Sequence, residues 1–141
     1  MTAKELVSDI IVPLKTSDTV ETAISMMDEF KVSHLPVVNN QSYLGLVSNN
    51  DLEDNLENID APIGNNKLSV ARPMINSFQH VYDVIKMMSE MRISALPVVD
   101  AEENYLGAVS LESLNKKLVK LAAVHNPGAV LVLEMSQNDY S

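Results

Sequence analysis

The chain has 141 residues, enough for a domain with a real core. Its formal net charge is −9, with ten lysines and arginines against nineteen acids, which argues against nucleic acid and against anionic lipid as partners. It has no cysteine, so disulfides and thiolate metal sites are excluded.

Hydrophobic residues make up 46% of the chain and aromatics only 4%, so the expected core is aliphatic and rich in its eight methionines. No stretch is long and apolar enough to span a bilayer, and "MTAKELVSDI" lacks the layout of a signal peptide. A cytoplasmic setting is expected.

In chain order, "SDIIVPL" (8–14) reads as part strand. Asp18 and Thr19 are candidate N-caps for a helix whose apolar face is Val20, Ala23, Ile24, Met27 and Phe30. The β-rich run "VSHLPVV", the turn "NNQS" and the run "YLGLVS" predict a hairpin, and a second helix starts at Ser48. "ENIDAPIGNNK" (57–67) reads as a connector.

Then the order repeats. Val20 to Val38 aligns without gaps on Val81 to Val99, with Met26, Met27, Ser33, Leu35 and Pro36 matching Met87, Met88, Ser94, Leu96 and Pro97. "SVARPMI" (69–75) stands for the leading segment. A helix face of Val81, Val84, Ile85, Met88 and Met91 follows, then "ISALPVV", "DAEEN", "YLGAVS" and a helix from Ser110. Two copies are too few for a solenoid, so a pseudosymmetric pair sharing one core is expected. Pro36 and Pro97 lie inside strand-like runs and are expected at sheet edges. Gly45 and Gly107, within the second strand of each copy, leave room for another group to approach the backbone. Two symmetry-related clefts are expected.

Apolar-Ser-x-Leu-Pro-Val-Val followed by Tyr-Leu-Gly-apolar-Val-Ser-x-x-Asp resembles the cystathionine-β-synthase (CBS) domain, and two in tandem resemble a Bateman module, over Lys4 to Val124. The resemblance implies an α/β fold of two β-α-β-β-α units, residues 1–62 and 63–125, packed sheet to sheet and forming a homodimer. It also implies a regulatory module that binds an adenosyl ligand (AMP, ADP, ATP or S-adenosylmethionine) and controls an attached or partner protein. The sites are implied to be crossed between copies. The first would join Ser48 and Asp51 to Ser69, Ile93, Ser94, Ala95, Leu96 and Pro97. The second would join Ser110 and Ser113 to Ser8, Val12, Val32, Ser33, His34, Leu35 and Pro36.

A carboxylate such as Asp51 can accept a hydrogen bond from each of two ribose hydroxyls, and a helix start offers N–H groups to phosphate. Ser113 stands where Asp51 would recur, so the second site is expected to be weaker or repurposed. His34, opposite Ala95 in the alignment, is expected to meet an anion in that second site. The first site is expected to prefer ligands with little negative charge. Ser48/Asp51 also reads as a simple helix cap, and the acids from Asp51 to Asp60 as a solvated face. His80 and His125 receive no role. No Walker loop, G-x-G-x-x-G, H-E-x-x-H or G-x-S-x-G is present, so no enzyme and no metal or other cofactor is expected. The rival to ligand sensing is a ligand-free dimerisation scaffold. In the tail, "AVLVLEM" resembles the first strand of an ACT-type domain, or else is a terminal strand that pairs with the module or a second chain.

Overall fold

The computed structural model describes residues 1–54, 56–65 and 72–125. Ser69 and the tail segment 126–141, with its ACT-type expectation, lie outside the described residues.

Local signals start each helix. Thr19 is extended, and its hydroxyl accepts the Thr22 N–H at 3.1 Å, opening α1 (Val20–Phe30). Asp18, the other candidate cap, instead takes the Lys15 N–H at 2.8 Å. Val20, Ala23 and Met27 are the buried face of α1. The helix stops at Lys31, which turns left-handed (φ 57) and donates its N–H to the Met27 carbonyl. A hairpin of β1 (His34–Asn39) and β2 (Ser42–Ser48) leads to α2, which at Asn49–Glu53 is shorter than the helical run expected.

The second copy places β3 (Ile75–Asn76), α3 (Val81–Met91), β4 (Ala95–Val99), β5 (Tyr105–Ser110) and α4 (Leu111–His125) in the same order. His80, left without a role by the sequence, caps α3: its Nδ1 accepts the Tyr82 N–H at 3.1 Å. The signal was its position, one residue before Val81 as Thr19 is before Val20.

One sheet has order β1-β2, with Leu14 bridging Val37 in parallel, and the other has order β3-β4-β5. Each hairpin carries a bulge, between Val37/Val38 and Val98/Val99, that skips one residue on the facing strand. The skipped residues, Leu44 and Leu106, therefore turn outward, 41% and 45% exposed. Pro36 gives its carbonyl to the Leu14 N–H, so its own nitrogen faces that side and no β2 bond is lost. The edge expectation for Pro97 is corrected, since β4 is the middle strand of three. β3 pairs only with Val98 and Val99, so that ladder begins one residue beyond the proline.

The chain ahead of each copy's leading segment packs on the other copy, while Leu14 and Ile75, from the leading segments themselves, stay in the cores of their own copies. Ala3 and Leu6, at the start of the chain, are fully buried in the second copy's core with Ile75, Val84, Leu96 and Val109. Backbone bonds from Ala3 N–H to Gln79 O and from Ser8 N–H to Ala108 O, both 2.8 Å, tie them there. Ile63, read from sequence as connector, is buried in the first copy's core with Leu14, Val20 and Val37. Its N–H donates to Asp18 O at 2.8 Å. The connector is thus docked on the first copy through Ile63, while residues 57–60, Pro62 and Gly64 stay exposed.

Candidate functional site

Both expected sites are built on a helix start. In the first copy, Ser48 Oγ accepts the Asp51 N–H at 3.2 Å, and Asp51 Oδ2 accepts the Ser48 N–H at 3.1 Å. This capping box is the bland reading of the motif, and it forms. It also fixes where the carboxylate points, which a binding role requires.

In the second copy, Ser113 Oγ accepts the Ser110 N–H at 2.9 Å and Ser110 Oγ accepts the Ser113 N–H at 3.0 Å. The Ser113 hydroxyl lies 2.8 Å from the Leu6 carbonyl and 3.1 Å from that of Ser110. Its single proton is therefore used within the chain, holding down the N-terminal segment at Leu6. Sequence reasoning missed this contact because Leu6 and Ser113 are brought together only by the exchange of segments.

Gly107 explains how that segment fits. A Cβ there would run into the side chain of Val7. The close approach expected at this glycine is made by the protein itself. Beside it lies a cavity of about 200 Å³ lined by Ser8, Ile10, Ser110, Ser113, Lys116 and Lys117. Ser8, Ser110 and Ser113 are thus brought together as expected, and the two lysines are additions that the motif did not include.

The other residues of the second set lie elsewhere. Val32 and Ser33 line a groove along α1 with Ile24, Met27, Lys31 and Asn49. Val12 is largely exposed, at 54%. Leu35 is fully buried in the first core and Leu96 in the second, with Ile93 beside Leu96. Pro36, Ala95 and Pro97 are also buried. The side chains of these strand residues serve the core, so at such positions the strands have mainly backbone to offer a ligand.

His34 departs from its expected place. It stands opposite Ser48 in the β1–β2 register, at the Asp51 end of its own copy. Its Nδ1 lies 2.9 Å from Ser94 Oγ and accepts the Ser94 N–H at 3.2 Å. Among the described residues no hydrogen bond joins it to Ser110 or Ser113. The ring therefore sits on the seam, between Asp51 of its own copy and Ser94 of the other. Burial lowers its pKa below the ordinary 6.5, and the Asp51 carboxylate pulls it partly back up. Ser33 joins the seam, its N–H donating to Ser94 Oγ at 3.0 Å.

The two hairpin tips close the far side. Tyr43 O–H donates to Pro73 O at 2.7 Å, and Arg72 donates to Tyr43 O and to Glu103 while covering the Tyr43 ring at 5.3 Å. Among the described residues no group of three His, Asp or Glu is placed to hold a metal ion. No helix among them is long and apolar enough to cross a membrane.

Comparison with known proteins agrees with this architecture. The family described as CBS domain matches residues 3–58 and 71–120. Inosine-5'-monophosphate dehydrogenase of Methanocaldococcus jannaschii is 27% identical over 137 residues, covering 92% of this chain and 26% of that protein. The chain thus spans about a quarter of the length of that relative. A CBS domain pair/ACT domain protein of Thermotoga maritima superposes with a TM-score of 0.72 at 24% identity, covering 86% of this chain and 98% of that one. CBSX2, solved in complex with AMP, superposes with a TM-score of 0.69 at 20% identity, covering 85% and 97%. With duplicated β-α-β-β-α units, two sheets and paired helix starts along one seam, this chain belongs to the CBS domain family.

Proposed function

We propose that the chain is a regulatory CBS pair that binds one adenosyl ligand at the Asp51 end of the seam and passes the occupancy of that site to an attached or partner protein. The observation that carries this reading is the Asp51 carboxylate, oriented by the Ser48 N–H and set beside His34, which itself holds Ser94 of the other copy. A ligand whose ribose bonds that carboxylate touches the contact between the copies, so binding and inter-copy packing are linked. The AMP complex of the CBSX2 neighbour supports an adenosyl ligand. The Ser113 site is the weaker one, because its hydroxyl proton is engaged by main-chain carbonyls.

Charge favours a division of ligands. Glu53 and Asp54 follow Asp51 on the first copy, where the second copy carries Asn115 and Lys116 after Ser113. The Asp51 site therefore prefers adenosine or the cationic S-adenosylmethionine over ATP.

Isothermal titration with AMP, ADP, ATP and S-adenosylmethionine tests the site. Asp51→Ala is expected to weaken binding by about 1.5–3 kcal/mol, roughly ten- to a hundredfold, the contribution of a hydrogen bond to a charged group. Binding that survives Asp51→Ala and is lost with Ser113→Ala reverses the assignment.

A scaffold reading has its own support. Ile85 and Leu111, 39% and 56% exposed, border a groove of about 540 Å³ along α3 and α4. We place the homodimer contact on this helical face. Light scattering of the chain tests the dimer, and thermal melts with adenosyl compounds decide between the readings: a dimer with no thermal shift from any of them favours the scaffold.

A further inference from the structure

At the Asp51 end of the seam, one imidazole nitrogen of the first copy meets the second copy. His34 Nδ1 faces the Ser94 N–H at 3.2 Å, Ser94 Oγ at 2.9 Å and Ser33 Oγ at 3.2 Å. Hydroxyls can donate or accept, but a backbone N–H can only donate. Nδ1 must therefore carry a lone pair, and the proton of the neutral ring is on Nε2. Ser94 Oγ receives the Ser33 N–H at 3.0 Å, so its own proton is available to Nδ1 at 2.9 Å or to Ser33 Oγ at 3.2 Å. The chain of donors runs from Ser33 through Ser94 into His34. In the second copy Ala95 replaces the histidine, so only one arm of the seam has this device.

We propose that His34 is a proton-released latch between the two copies. Neutral, it accepts the main-chain N–H of Ser94 and holds the seam closed. Protonated, it sets an Nδ1–H against that N–H, two donors face each other, and the contact opens.

The groups around the ring set the direction. α2 presents the Asp51 carboxylate, which favours the protonated form. β2 presents neutral Ser48 opposite His34, the chain before β1 presents Ser33, and the other copy presents Ser94. Burial outweighs Asp51, so the folded ring titrates below 6.5. The unfolded chain takes up its proton near the ordinary value and the folded chain only at lower pH. The latch therefore contributes its full stability above about pH 6.5, and this is lost as pH falls through the folded value.

The test uses the whole chain without any ligand, so its outcome does not depend on the proposed adenosyl site. Nitrogen-15 spectra at pH 7.5 are expected to show the Nε2–H tautomer of His34. On acidification the Ser94 amide resonance is expected to move with the same midpoint as the His34 ring. Urea unfolding from pH 7.5 to 5 adds a second readout. Through the His34 titration, the unfolding constant of the wild type rises more steeply than that of His34→Ala, by up to tenfold per pH unit for one proton. His34→Ala places at this position the residue that the second copy already carries. His34→Asn keeps an acceptor without a titration, and it too is expected to lack the extra slope. An Nδ1–H tautomer at pH 7.5, a Ser94 amide that stays still while His34 titrates, or equal slopes in wild type and His34→Ala would overturn the proposal.

Discussion

Tyr43 and Tyr105 hold equivalent places in the two copies and differ by one hydrogen bond. Tyr43 O–H donates to Pro73 O, whereas the buried Tyr105 hydroxyl has no partner among the described residues. Burial raises the pKa of both phenols, so both stay protonated through the ordinary pH range. Tyr43→Phe is therefore expected to cost about 1 kcal/mol in urea unfolding, while Tyr105→Phe is neutral or slightly stabilising. A larger loss from Tyr105→Phe than from Tyr43→Phe contradicts this. Gly107 makes a second prediction at this scale. Gly107→Ala pushes a Cβ into Val7 and is expected to cost about 1–3 kcal/mol. Val7→Ala added to it should recover part of that loss, since the shortened side chain removes the collision. The glycine was legible in sequence as a point of close approach, but the approaching residue lies a hundred positions away in the chain and was not.

The helices and hairpins were the most legible elements, because their signals are local. The 3.6-residue spacing of Val20, Ala23 and Met27 and of Val84 and Met88 placed α1 and α3 on the core, and both turned those residues inward. Thr19 was readable as a cap from its chemistry, whereas His80 was readable only by copying the role across the repeat. Thr19→Ala is expected to destabilise the chain by about 1 kcal/mol, with hydrogen exchange rising first in the opening turn of α1. An unchanged midpoint would show that Thr22 finds another acceptor. The exposed Leu44 and Leu106 were not legible. An apolar run suggests burial, and the bulge that turns these residues out follows from pairing geometry rather than composition.

Across the whole molecule, each copy completes its core with a segment that precedes the other. This predicts a non-local effect. Leu6→Ala removes a fully buried side chain and is expected to cost about 2–5 kcal/mol. The loss of exchange protection should appear in α3 and α4, because Leu6 packs in the second copy's core and accepts the Ser113 hydroxyl. Loss confined to α1 and α2 would refute the exchanged arrangement.

By itself the sequence determined the duplication, the helix faces, the hairpins and the Ser48/Asp51 motif, because each is written in residues near one another in the chain. Only the tertiary structure decided that Leu6 holds Ser113, that Ile63 belongs to the first core, and that His34 reaches Ser94 rather than Ser113. Those contacts come from how two similar halves pack against each other. A duplicated pattern states what each half contains, and leaves open which half each segment will join.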